Sequence, residues 1–148
     1  MQMKSWIACA AVALSVLPGI SQARDTMLLL PFEKVIQQMT QEGKLDGSVK
    51  FYLAGSPARG KVTVVSPNAV TNKKTNAFNK SDTEACEWAL QSAILQLRDS
   101  ARSAGANAVT NVVSYYKKNE RKDAVNFECH AGAVIAGVAL KGDLSKVN

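Results

Sequence analysis

The sequence predicts a compact single domain of the α/β (α+β) class: a mixed or antiparallel sheet of about four to five strands carrying one long helix and one short N-terminal helix. Three observations predict it. A capped amphipathic helix is written over residues 81–104, stretches of strand length and β-branched composition lie on both sides of it, and residues 24–148 suffice for one hydrophobic core.

Residues 1–23, MQMKSWIACAAVALSVLPGISQA, carry Lys4, an apolar run from Trp6 to Leu17, a break at Pro18-Gly19, and small residues at Ser21 and Ala23. That order is a secretory signal peptide with cleavage expected after Ala23. The run is shorter than the roughly 20 apolar residues of a retained span. Cys9 stands near the start of the run rather than at its end, so a lipoprotein is not expected. The chain is therefore expected to be periplasmic or secreted, with no stable membrane anchor after signal cleavage. Its formal net charge is +6, of which only Lys4 would leave with the leader. A positive surplus suits an anionic surface, at an envelope lipid head groups, lipopolysaccharide or acidic glycans, and equally suits plain solubility. Export disfavours nucleic acid as a partner.

The remaining chain opens with Met27 to Leu30, a short apolar run stopped by Pro31 and read as a strand or extended arm. Phe32, Val35, Ile36 and Met39 recur at helical spacing, and Gly43 closes that short helix. From Ser48 to Ala54, Val49, Phe51 and Leu53 alternate with Lys50 and Tyr52, as in a half-buried strand. GSPARG is turn chemistry and Lys61 to Ser66 a second β-branched strand, so the two are expected to form a hairpin. Gly55 to Lys61 also spells G-x-x-x-x-G-K, most of a phosphate-binding loop. Val62 occupies the position of the Mg²⁺-holding Ser or Thr, and VTVVS reads as strand, so no helix N-terminus would face a phosphate. Pro67 to Lys80 reads as a polar loop with Ala69, Val70 and Phe78 as its apolar handles.

The long helix begins at Ser81, three residues before Glu84, the spacing of a capping box. Cys86, Ala89, Leu90, Ala93, Ile94, Leu97, Ala101 and Ala104 form one stripe, rich enough in alanine to let the helix approach a sheet closely. Glu84, Glu87, Gln91, Arg98, Asp99 and Arg102 lie opposite, and Gly105 ends the helix. Trp88 and Leu95 break the pattern by falling among the charges. Either the 67–80 loop folds over them, with Phe78 against Trp88, or they meet a partner or a second copy of the chain.

After Gly105 comes NAVTNVVSYY, apolar on both parities between Ala108 and Val113, as a central strand is. KKNERKD reads as a charged hairpin loop, and AVNFECHAGAVIAGVALKG as a strand with Val125, Phe127 and Cys129 on one face and a bend at Gly132. Helix rise and strand rise together bring Tyr115 and Tyr116 back to the start of the helix, and the hairpin brings Cys129 to the same end. Cys86 lies in the first turn on the core stripe. Two cysteines at one end, in an oxidising compartment, predict a Cys86–Cys129 disulfide.

The run CEWALQSAILQLRDSARSAGANAVTNVVSYYKK followed by NFECHAGAVIAGVALKG resembles a family of small exported bacterial proteins of unknown function, often labelled "excinuclease ATPase subunit". Its GANAV turn and cysteine-and-glycine strand are also similar to the core of the RcsF envelope lipoproteins and, more distantly, to YbjQ-type domains with a supposed heavy-metal-binding role. The resemblance implies an RcsF-like α/β domain with a sheet carrying the long helix. RcsF has a lipid anchor and two disulfides, whereas this sequence shows neither the anchor motif nor enough cysteines for two disulfides, so stress sensing at the outer membrane is not expected of it.

The chemistry-bearing residues are few. His130, the single histidine, is adjacent to Cys129 on a strand and so points to the opposite face, which excludes a Cys-His nucleophile pair. Zinc needs three or four converging ligands, and these are not in evidence, so no metal, cofactor or catalytic residue is expected. Tyr115 and Tyr116 with Lys117, Lys118, Arg121 and Lys122 make an aromatic and basic end suited to an acidic partner or glycan. The expected function is thus a non-enzymatic accessory or interaction domain of the envelope, its contacts at Trp88, Leu95 and residues 115–122. The alternative is a small-ligand or metal-binding module.

Overall fold

The computed structural model describes residues 24–148; the expected signal peptide lies outside the described residues. Along the chain run β1 (Thr26–Pro31), α1 (Phe32–Gln41), β2 (Lys50–Leu53), β3 (Val62–Asn76), α2 (Asp82–Ser103), β4 (Ala108–Ser114), a short 3-10 turn (Tyr116–Lys118), β5 (Asn126–Ala131) and β6 (Ile135–Val147). Two helices on a six-stranded sheet make a mixed α+β domain with more strands than the four to five expected.

β6 is the spine of the sheet. β3 pairs antiparallel along nearly its whole length, Val62 opposite Val147 through Asn76 opposite Ile135. The other edge of β6 is divided between β5, next to Ala136 and Gly137, and β4, from Leu140 to Ser145. β1 extends the sheet beyond β5 and β2 extends it beyond β4, the latter in parallel. This overturns the expected hairpin of residues 48–54 with 61–66. The Gly55–Lys61 segment is instead a connection between strands that do not pair, and its lysine is followed by strand rather than helix. The stretch read as a polar loop is strand up to Asn76. It carries few apolar residues because β3 is an edge strand, mostly exposed, with Thr71 buried beneath the helix and donating to Gln96 Oε1 at 2.5 Å. The charged hairpin expected between residues 114 and 124 is likewise not a hairpin. β4 and β5 both pair with β6, and a single bridge, Ser114 to Arg121, links the two arms of the connection.

Helix α2 starts where its sequence says it should: Ser81 Oγ accepts from the Glu84 amide at 3.1 Å, and Gly105, at φ +72°, takes the left-handed conformation after the last turn. Its alanine-rich stripe, from Cys86 to Ala101, is buried against β3 and β6 and reaches β4 and β5. The same core takes Phe32, Val35 and Met39 from α1, and Phe127, Cys129, Val138, Leu140, Val109 and Val112 from the sheet. Cys86 and Cys129, both fully buried, are joined by a disulfide with Cα atoms 5.8 Å apart, the expected link between the helix start and the strand beneath it.

Close approach between β6 and β4 depends on Gly142. A methyl there would lie 2.8 Å from Val109 Cγ1 and 3.1 Å from Val112 Cγ2, beside the bulge at which Asn111 adopts φ +51°. Gly142→Ala is expected to overpack this seam and lower stability by about 1 to 3 kcal/mol in urea titration.

Candidate functional site

The pleat of β5 separates structure from surface. Phe127, Cys129 and Ala131 face the core, so Glu128 and His130 face the other side of the sheet, as the sequence predicts for His130. There the segment after β4 turns back over the sheet. Tyr116 stacks on His130 with ring centroids 3.4 Å apart and planes 12° apart. His130 Nδ1 meets Asp25 Oδ1 at 3.0 Å, and Nε2 meets Glu128 Oε2 at 2.7 Å. Glu128 also accepts from Arg121 Nε at 2.8 Å, and its amide donates to Ser114 Oγ. Both ring nitrogens of His130 are thus committed to carboxylates, on opposite edges of the ring.

Around that anchored centre the loop displays its charges. Lys117 and Lys118 hold left-handed conformations, φ +51° and +64°, which turn the chain sharply at the tip. Lys117 Nζ lies 5.4 Å from the Tyr116 ring, and Lys141 Nζ lies 4.9 Å from the Tyr115 ring. Lys141 also pairs with Glu120, whose carboxyl is held below its ordinary range by that hydrogen bond. Arg121 is neutralised by Glu128. Lys117, Lys118 and Lys122, all exposed, have no carboxylate partner among the described residues. Tyr115 and Tyr116, read as a strand tail, are half-buried parts of this cap on the sheet.

Trp88 and Leu95 lie elsewhere, on the helix side of the sheet. The 67–80 segment does not cover Trp88, because it is committed to β3 and the turn that follows. Phe78 is itself 63% exposed, and Trp88 is 49% exposed. Its neighbour is Lys44, whose Nζ is 5.4 Å from the Trp88 ring and donates to Gln91 Oε1 at 2.8 Å. Leu95 is half-buried against the core. The sequence-predicted contact residues therefore form two separate surfaces on opposite sides of the sheet.

Much of the charged face of α2, opposite the apolar stripe, holds α1 and its following turn in place. Lys34 pairs with Glu87 at 3.1 Å, Arg98 Nη1 donates to the Lys44 carbonyl at 2.9 Å, and Arg102 Nη2 donates to Asp46 Oδ2 and Ser48 Oγ. The hydroxyl and amide of Ser48, and then the Arg102 charge, hold the Asp46 carboxyl down at about 2. A carboxyl whose folded value lies below its unfolded value of about 3.9 contributes its stability above that value and loses it as pH falls through 2. Carboxyl-detected NMR titration is expected to place the Asp46 midpoint near 2 in the wild type and to raise it only part of the way to the ordinary range in Ser48→Ala, which removes the hydroxyl and keeps the residue-48 amide and Arg102.

A feature absent from the sequence reading is a cleft of about 960 Å³ between α1 and the free edge of β2. Phe32, Ile36 and Thr40 line one wall, Val49 to Leu53 the other, with Pro57 and Val125 at the ends. Its trace in the sequence is slight: Ile36, at the edge of the apolar stripe of α1, is only half-buried where Phe32, Val35 and Met39 are fully buried.

Among the described residues no group of three or more His, Cys, Asp and Glu is placed to hold a metal ion, and no helix is long and apolar enough to cross a membrane. No family model, no curated protein and no solved structure matches the chain.

Proposed function

We propose that this protein is a non-enzymatic, exported accessory domain of the bacterial cell envelope that engages an anionic or acidic partner through residues 115–122. The observation that carries the reading is the cap on the outer sheet face. Tyr116 and Arg121 are pinned by His130 and Glu128, so the loop that carries the exposed Lys117, Lys118 and Lys122 is anchored to the sheet at two points, and none of the three lysines is in an ion pair among the described residues. Ordering such a tip before binding reduces the entropy that a partner must overcome. The buried disulfide supports folding in an oxidising compartment, and the RcsF-like resemblance belongs to the same proposal.

The test is capture from envelope extracts with the wild type and two variants. Lys117→Glu/Lys118→Glu is expected to lose the captured partner by at least about tenfold, since two reversed charges at a rim alter both attraction and encounter rate. Trp88→Ala, on the other side of the sheet, is expected to retain it. Capture that both variants leave intact rejects these surfaces.

The alternative, a small-ligand module of the YbjQ type, draws support from the cleft beside α1, which has the volume and apolar walls of a ligand pocket. A metal-binding form of it would have to free His130 from Asp25 and Glu128. Stoichiometric metal in protein purified without chelator, lost in His130→Ala, would favour that alternative.

A further inference from the structure

Three chain segments meet at the end of the molecule near the start of α2. The turn from β3 to α2 presents Phe78, 63% exposed, and the turn from β5 to β6 presents Val134 and Ile135, 60% and 53% exposed. The two turns are tied together, the Ala77 amide donating to the Val134 carbonyl at 2.7 Å and Asn76 pairing with Ile135. Arg24 closes the group, its guanidinium donating to the Gly132 carbonyl at 2.9 Å and to both oxygens of Asp82. We propose that this apolar tip docks on the surface of an anionic lipid bilayer, with Phe78, Val134 and Ile135 entering the head-group region.

Two observations select lipid as the occupant. The first is charge. Lys73, Lys74 and Lys80 flank the tip and have no carboxylate partner among the described residues, while the neighbouring acids Asp82 and Asp25 are engaged by Arg24 and His130, leaving Glu84. Apolar side chains on protruding turns, ringed by lysines whose stems can lie along them, have the composition of an interfacial anchor. The second is where the chain continues. Arg24 joins residues 1–23, whose apolar run ends at Leu17. The intervening residues 18–23 reach about 20 Å at full extension. A membrane that holds the apolar run during export would therefore lie within about 20 Å of Arg24, the residue that closes the tip. This inference does not rest on the 115–122 surface, which lies on a different part of the sheet.

The test is co-sedimentation of the protein, as purified from the envelope, with vesicles of phosphatidylcholine alone and of phosphatidylcholine with phosphatidylglycerol. Wild-type protein is expected to bind the anionic vesicles, and raised salt to weaken binding without abolishing it. Phe78→Ser and Val134→Ser/Ile135→Ser are each expected to reduce it by roughly tenfold. Val70→Ser, exposed on the sheet away from the tip, is expected to bind as the wild type does. Far-UV circular dichroism and an intact disulfide establish that each variant is folded. Tip variants that bind like the wild type, a Val70→Ser variant that loses as much as they do, or absence of binding to either vesicle would overturn the proposal. So would a concentration-dependent dimer, lost in the tip variants, in protein that ignores vesicles.

Discussion

Replacing both bridged cysteines, Cys86→Ala/Cys129→Ala, is expected to lower the unfolding free energy by about 4 kcal/mol, the chain-entropy value for a separation of 43 residues. The magnitude is large because a domain of this size has only about 5 to 15 kcal/mol in total. The link matters topologically as well as entropically. It joins the N-terminal part of α2 to β5 across the intervening β4 and its loop, and without it the helix start is held to that end of the sheet by packing and by Arg24, which bridges Asp82 and the Gly132 carbonyl. Urea unfolding followed by circular dichroism should show a lower midpoint and a somewhat larger denaturant slope, since the uncrosslinked unfolded chain exposes more surface. A loss below about 1 kcal/mol would show that the unfolded chain is already compact around this region. Alanine is the right replacement because both sulfurs are fully buried in apolar surroundings, where a serine hydroxyl would lack a partner.

Phe127→Ala is expected to cost about 3 to 5 kcal/mol. Phe127 is fully buried on the core face of β5, two residues from Cys129 and opposite Leu30 of β1. It is among the largest fully buried side chains of the core, so its removal leaves a cavity that the packed neighbours close only in part. Phe127→Leu should cost less, since much of the volume is kept. Because Phe127 and Cys129 share a face, their losses will not simply add, and the triple variant measures the coupling directly. Loss of cooperative unfolding in Phe127→Ala, against retention in Phe127→Leu, would identify packing volume as the decisive property.

How much of this was written in the sequence follows from which residues answer to local physics. The long helix was legible to within a residue at each end, because Ser81 and Gly105 are chemical punctuation and the stripe from Cys86 to Ala101 is strictly periodic. The disulfide was legible because element lengths and alternation placed both sulfurs on one face at one end. The pairing of strands was not legible. A Gly- and Pro-containing segment such as 55–61 serves equally as a hairpin turn or as a connection between distant strands, and only the whole sheet decides between them. β3 escaped notice for a different reason: an edge strand with one face open to water needs few apolar residues, so PNAVTNKKTNA has the composition of a loop. Its bulges, Pro67 and the Lys73-Lys74 pair are the features by which exposed edges avoid pairing with other chains.

The same distinction governs the candidate sites. Tyr115 to Lys122 could be named as a cluster from sequence, since the residues are contiguous. Its anchoring through Tyr116 to His130 and through Arg121 to Glu128 is a product of β5 lying beneath the loop. Trp88 and Leu95 could be singled out by helical phase, yet the neighbour of Trp88 is Lys44, from the turn after α1 rather than from the segment before the helix. The tip formed by Phe78, Val134 and Ile135 joins turns far apart in the chain and leaves no local trace.

The account turns on the proposal that the chain is exported and that its two cysteines after residue 23, Cys86 and Cys129, are joined. Intact-mass spectrometry of the protein isolated from its native envelope, run without reductant and after treatment with an alkylating agent, measures this in one step. The account predicts a chain beginning at Arg24, two hydrogen atoms lighter than the reduced form and unreactive to alkylation until reduced. A chain that retains residues 1–23, or one that takes up two alkyl groups without reduction, would contradict it.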